Sequence, residues 1–133
     1  MIQERYCSFE VAKLLKENGF AEECEYFYDW YKESESYYIC SNGGTCNNER
    51  YPDEYSMPTH QMTCDWLLEK YNLHIEVEAY PHEDGCFYWA YKVMELRKEA
   101  NVLGYFKIIS KAGFDTKGEA IDNAIKYVLE NLI

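Results

Sequence analysis

His60 and Cys64 stand one helical turn apart in the stretch Met57-Pro58-Thr59-His60-Gln61-Met62-Thr63-Cys64-Asp65-Trp66-Leu67-Leu68, a spacing that brings an imidazole and a thiol to one face of a helix. Such a pair can serve as base and nucleophile, or as two ligands of a metal ion. Pro58 keeps the preceding chain extended, and the Thr59 hydroxyl is placed to accept from the orphan amides of a first turn, so His60 falls at the first helical position. There it meets the positive end of the helix dipole, a setting used by bases and electrophiles. An N-terminal histidine is more commonly structural, however. The chain also lacks a nucleophile elbow, a phosphate loop and a metal-protease helix. The residues therefore predict a protein that is not an enzyme.

A metal reading needs more ligands. Cys40 and Cys46 bracket an Asn42-Gly43-Gly44 turn and with His60 and Cys64 would make a Cys3His set. Structural zinc usually takes a C-x2-C knuckle whose amides bond the thiolates, and no such pair is present. The six cysteines (Cys7, Cys24, Cys40, Cys46, Cys64, Cys86) read as free thiols, mostly small buried hydrophobes, and no metal or other cofactor is expected. The start, Met1-Ile2-Gln3-Glu4-Arg5, lacks a signal-peptide pattern, and no run approaches the ~18 apolar residues of a membrane span. A cytoplasmic protein is expected.

The net charge of −11 divides as −7 over residues 1 to 58 and −4 over residues 59 to 133. Phosphate contacts need clustered cations, and the lysines are scattered singly with no basic stripe, which argues against nucleic acid as a partner. Dispersed acidity ordinarily serves solubility; the sharper reading is a surface for a basic partner, or one that imitates nucleic acid.

The elements that must position these groups follow from periodicity. Ser8 caps a helix carrying Phe9, Val11, Ala12, Leu14 and Leu15, which Gly19 ends with Phe20 folded back on Leu15. From Ala21 to Tyr55 the chain is aromatic and irregular, with a β-hairpin expected across Asn42-Gly43 that brings Thr45-Cys46 back along Tyr37-Tyr38-Ile39-Cys40. A helix over about Thr59 to Tyr71 precedes Leu73 to Tyr80, which alternates with period two. A turn over Pro81 to Gly85 leads to a second strand, Cys86 to Met94, and after a charged loop to a third, Gly104 to Ser110. Thr116-Lys117-Gly118-Glu119 is a capping box opening a helix with Ile121, Ala124, Ile125, Val128, Leu129 and Leu132 at helical spacing.

This predicts one α+β domain over residues 1–133. Residues 1–58 supply a helix and the aromatic segment; residues 59–133 supply helix, three-stranded antiparallel meander and helix, with the helices on one sheet face. Double-stranded-RNA-binding domains share that order, but they grip phosphate with lysines where this chain reads Thr116-Lys117-Gly118-Glu119-Ala120-Ile121-Asp122. Leu73, Ile75, Val77 and Ala79 are expected to face the helices, with Phe87, Trp89, Tyr91 and Val93 beside them in the core. His74, Glu76, Glu78, Tyr80, Tyr88, Lys92 and Met94 then face outward. Lys92 stands opposite Glu76 or Glu78.

At Ser8 to Phe20, at Pro58-Thr59-His60-Gln61 with Trp66-Leu67, and at Ala124 to Ile133, the chain resembles a group of short proteins of unassigned function from gut Bacteroidales and their phages and mobile elements. The resemblance implies an origin in a bacterial or phage-infected cytoplasm and no activity.

Fourteen tyrosines exceed what a core of this size needs, and tyrosine suits interfaces. The sequence therefore predicts a non-catalytic protein-interaction module, taking a protein partner or a second copy of itself, with a surface drawn from His60, His74, Glu76, Glu78, Tyr88, Lys92 and Met94. The alternatives are an acidic decoy or inhibitor of a host defence or DNA-handling protein, and a small enzyme or ligand-binding protein using His60.

Overall fold

The structure is a computed structural model that describes residues 5–41, 43–99 and 102–133. It is α+β, with three helices and two three-stranded antiparallel sheets. The chain groups into two compact units, Tyr6–Thr59 and His60–Ile133.

In the first unit, helix α1 (Phe9–Glu17) starts where the Ser8 hydroxyl accepts from the Val11 amide at 3.3 Å. It ends on Gly19 at φ 84°, a left-handed position that costs a residue without Cβ nothing. The Phe20 amide donates to Leu15 O at 3.0 Å and the Gly19 amide to Lys16 O at 3.2 Å, the paired bonds of a Schellman end. As expected, Phe20 and Leu15 are both buried.

Strands β1 (Phe27–Tyr31), β2 (Ser36–Cys40) and β3 (Glu54–Ser56) follow in the spatial order β2-β1-β3. The hairpin expected across Asn42-Gly43 is corrected: β1 and β2 pair with Trp30 opposite Tyr37 and Tyr31 opposite Ser36, so the chain turns at Lys32-Glu33-Ser34-Glu35. Asn42 lies outside the described residues, and Cys46 bridges Cys24 rather than returning along β2. The actual turn contains no glycine, and Glu35 takes the left-handed conformation at φ 47°. Pairing aromatic strands across their whole length outweighs that local cost, of order 1–2 kcal/mol.

Helix α1 covers one face of this sheet through Phe9. Its ring stacks on Tyr37 at 4.3 Å and on Trp30 at 5.3 Å, and meets Tyr28 and Tyr55 edge-on at 5.4 and 5.5 Å. The buried Tyr28 hydroxyl donates to Cys7 O at 2.6 Å. Lys16 closes the unit by donating to the carbonyls of Tyr51, Pro52 and Glu54, with its ammonium 4.8 Å above the Tyr55 ring. Burial pulls the Lys16 pKa down, opposed by Asp53 and Glu54.

In the second unit, helix α2 (His60–Tyr71) joins strand β4 (Leu73–Pro81) through one residue, Asn72, left-handed at φ 57°. Asparagine tolerates that conformation better than most residues. Strand β5 (Phe87–Glu99) sits between β4 and β6 (Val102–Phe114), and helix α3 (Lys117–Asn131) follows. The meander is as expected, but β5 and β6 run through the segment read as a charged loop. Glu95 and Arg97, on one side of β5, form a bidentate pair at 3.0 Å and satisfy each other without leaving the strand.

The register places Ile75 opposite Val93 and Val77 opposite Tyr91, so the expected core set shares one face. Leu73, Ile75, Tyr91 and Val93 are buried with Leu67 of α2 and with Ala120, Ala124, Ile125, Val128 and Leu129 of α3. The set fails toward the sheet's tip: Ala79 is exposed, and Phe87, which pairs with Pro81, is 65 % exposed. Met94, expected outward, is 7 % exposed. Its position opposite His74 keeps it on the expected face, but that part of the face is not open. Bulges interrupt the β5–β6 register between Trp89 and Ala90 and between Val93 and Met94; the first is absorbed by Gly113 at φ 97°. Among the described residues, no helix is long and apolar enough to cross a membrane.

Thr116 accepts from the Glu119 amide at 3.1 Å, and the Glu119 carboxylate reaches the Asp115 amide at 3.3 Å. The capping box thus forms with its return arm one residue early. Thr116→Ala should destabilise the fold by about 0.5–2 kcal/mol, read as a lower denaturation midpoint at unchanged slope.

Candidate functional site

His60 is the first residue of α2 and is 5 % exposed. Its Nε2 lies 3.2 Å from Asp122 Oδ1 on α3, so a carboxylate fixes the ring. Before this pair lies a cavity of about 290 Å³ whose lining includes His60, Cys64, Asp65, His74, Lys117 and Ile121. Imidazole, carboxylate, thiol and cavity together have the outline of a nucleophilic site. Burial, helped by Asp65, pushes the Cys64 pKa up to about 12, which favours the protonated thiol near neutrality. His60 joins α2 to α3 and lines the cavity.

Of the other expected site residues, His74 lines the same cavity as His60. Glu76, Glu78, Tyr88 and Lys92 follow the parity of His74 along the outward face of the β4–β5 hairpin and are absent from that lining, and Met94 lies buried at its end. Lys92 is opposite Glu76 in register but reaches diagonally to Glu78 Oε1 at 3.4 Å. His74 Nε2 lies 3.8 Å from Glu76 Oε1. Hydrogen bonds from Tyr80 and Lys92 hold the Glu78 pKa below the usual carboxylate range, and the same Lys92–Glu78 contact raises Lys92. Solvent screens these exposed pairs, so they add little to stability and leave this part of the face charged.

A second aromatic surface was not singled out by the sequence. On β1 and β2, Asp29, Tyr31 and Tyr38 lie on the sheet face opposite the Phe9 stack. Tyr38 is 59 % exposed and Tyr31 43 %, their rings meet edge-on at 5.2 Å, and the Tyr31 hydroxyl donates to Asp29 Oδ2 at 3.1 Å. That bond to a carboxylate raises the Tyr31 pKa, so the phenol keeps its proton. Among the described residues, strand β2 has a strand on one side only, and the turn beside it carries exposed Glu33 and Glu35 with Lys32. The alternation of Tyr37-Tyr38-Ile39 was the available signal, obscured by placing the hairpin turn on the wrong side of the strand.

Comparison with protein-family models, curated proteins and solved structures finds no match.

The thiols make two expectations measurable. Burial also pushes the Cys24 pKa up to about 12, with Cys46 adding to the shift. Alkylation at neutral pH should label exposed Cys86 first and buried Cys7 and Cys24, together with Cys64, last, read by mass spectrometry. An unfolded thiol ionises near pH ~8.5, so the unfolded chain releases these protons before the folded one. Stability is then complete below about pH 8 and falls as pH rises toward 12, and Cys64→Ala should flatten the loss in alkaline denaturation curves.

Proposed function

We propose that the protein is a non-catalytic interaction module that receives an extended, Lys- or Arg-bearing protein segment along strand β2. The observation that carries this reading is the exposed Tyr31–Tyr38 pair beside the one-sided strand β2. A one-sided strand offers unpaired main-chain donors and acceptors to a further strand, and the side chains of its exposed face set which sequence is accepted. Tyrosine provides a rigid apolar body with little rotamer entropy to lose. Asp29, Glu33 and Glu35 outnumber Lys32 on this hairpin, so cations on the incoming strand are favoured and a second acidic copy is not. The same charge argues against nucleic acid as the partner. The setting we assign is the bacterial or phage-infected cytoplasm implied by the resemblance.

Selection of ten-residue peptides displayed against the protein tests the reading. Enriched sequences should alternate apolar residues with Lys or Arg, and Tyr38→Ser should weaken their binding by roughly tenfold or more without moving the denaturation midpoint. Tyr38 is the residue to change, because Tyr37 also stacks on Phe9. No enrichment, indifference to Tyr38→Ser, or a concentration-dependent dimer that buries β2 would overturn it.

A further inference from the structure

At the tip of the β4–β5 hairpin, Tyr80 and Tyr88 stand directly opposite each other on the outward face. With Pro81 and His82 they wall an open cleft of about 440 Å³, floored by Ala112 and Gly113 of β6. The floor is low for a structural reason. Gly113 is the extra residue of the β5–β6 bulge, and its left-handed φ of 97° disfavours any residue with a Cβ, so the floor carries no side chain at that position. His82 meets Tyr88 edge-on at 5.0 Å, which sets the two rings as adjoining walls.

The rings are tied to carboxylates. The Tyr80 hydroxyl donates to Glu78 Oε2 at 2.9 Å, and the Tyr88 hydroxyl donates to Asp84 Oδ2 at 3.2 Å. Asp84 Oδ1 accepts from the Cys86 amide at 2.9 Å, and His82 Nδ1 lies 3.3 Å from that same oxygen. The Cys86 amide bond chiefly, then Tyr88 and His82, hold the Asp84 pKa below the usual carboxylate range, so the acid stays ionised. A phenol that donates to an ionised carboxylate has a more electron-rich ring face, which strengthens its attraction for a cation. Glu76, Glu78, Glu83 and Asp84 outnumber Lys92 on this hairpin, so the local field has the same sign.

We infer that this cleft is a binding site for an alkylated ammonium group, with Tyr80, Tyr88 and His82 as its aromatic walls. A bulky head of that kind is weakly hydrated and gains from ring faces, whereas a bare ammonium would remain in water or sit on a carboxylate. The group can come from a free quaternary amine or from a trimethylated lysine in a peptide. The site is separate from the β2 surface, and either assignment can fail without the other.

Titration by amide NMR with choline, with its uncharged carbon isostere 3,3-dimethylbutanol, and with a trimethyl-lysine peptide beside its unmethylated form distinguishes these sources. Shifts should localise to residues 80–88 and 112–113. The isostere should bind roughly fivefold to thirtyfold more weakly than choline, the span expected of cation–π attraction. Tyr88→Leu should lose the same factor, while Tyr88→Phe keeps the ring and most of the affinity. Preference for the methylated peptide over choline would assign the peptide source, and equal affinity the free amine. Equal binding of the isostere, indifference to Tyr88→Leu, or no saturable shift at tens of millimolar ligand would overturn the inference.

Discussion

One nine-residue helix must shield a three-stranded sheet made largely of aromatic residues, and it can shield only one side. Phe9 meets that demand by gathering Tyr28, Trp30, Tyr37 and Tyr55 around a single ring. Aromatic pairs in such stacked and edge-on arrangements contribute about 0.5–1.5 kcal/mol each beyond their buried area, which holds the helix on the sheet. The opposite face has no comparable cover at Tyr31 and Tyr38, and the edge position of β2 in the order β2-β1-β3 places these rings beside a one-sided strand. The proposed role of the protein grows from this asymmetry.

The second unit solves its packing differently. Two helices fill one face of a longer meander, where Leu67, Val93, Ile125 and Val128 are completely buried. Polar chemistry is pushed to two places, the His60–Asp122 contact between the helices and the charged outer face of the hairpin. In the first, the polar pair joins the two helices, and the cavity beside it is also lined by Cys64, whose thiol burial keeps protonated. In the second, carboxylates stay ionised and draw tyrosine hydroxyls toward them.

Much of this was legible where one periodicity dominates. The alternation from Leu73 to Tyr80 fixes which side chains share a face, and the capping box with its apolar repeat fixes α3. Parity does not fix burial, however: Met94 has the outward parity and is buried, and Phe87 has the inward parity and is exposed at the strand's tip. The hairpin of the first unit was misplaced because Asn42-Gly43 is the cheaper local turn, while cross-strand aromatic pairing settles the matter at Lys32–Glu35. His60 was visible as a helix-start residue; Asp122, sixty-two residues away, was indistinguishable from other helix-surface acids.

The central claim is that β2 accepts another strand, and amide hydrogen exchange of Ser36–Cys40 measures that directly. In the free protein, amides of β2 that point away from β1 should exchange rapidly, and a bound Lys/Arg-bearing peptide should slow those amides while leaving α2 and α3 unchanged. Outward β2 amides already protected in the free monomer, or peptide-induced protection confined to the α2–α3 cavity, would contradict the account.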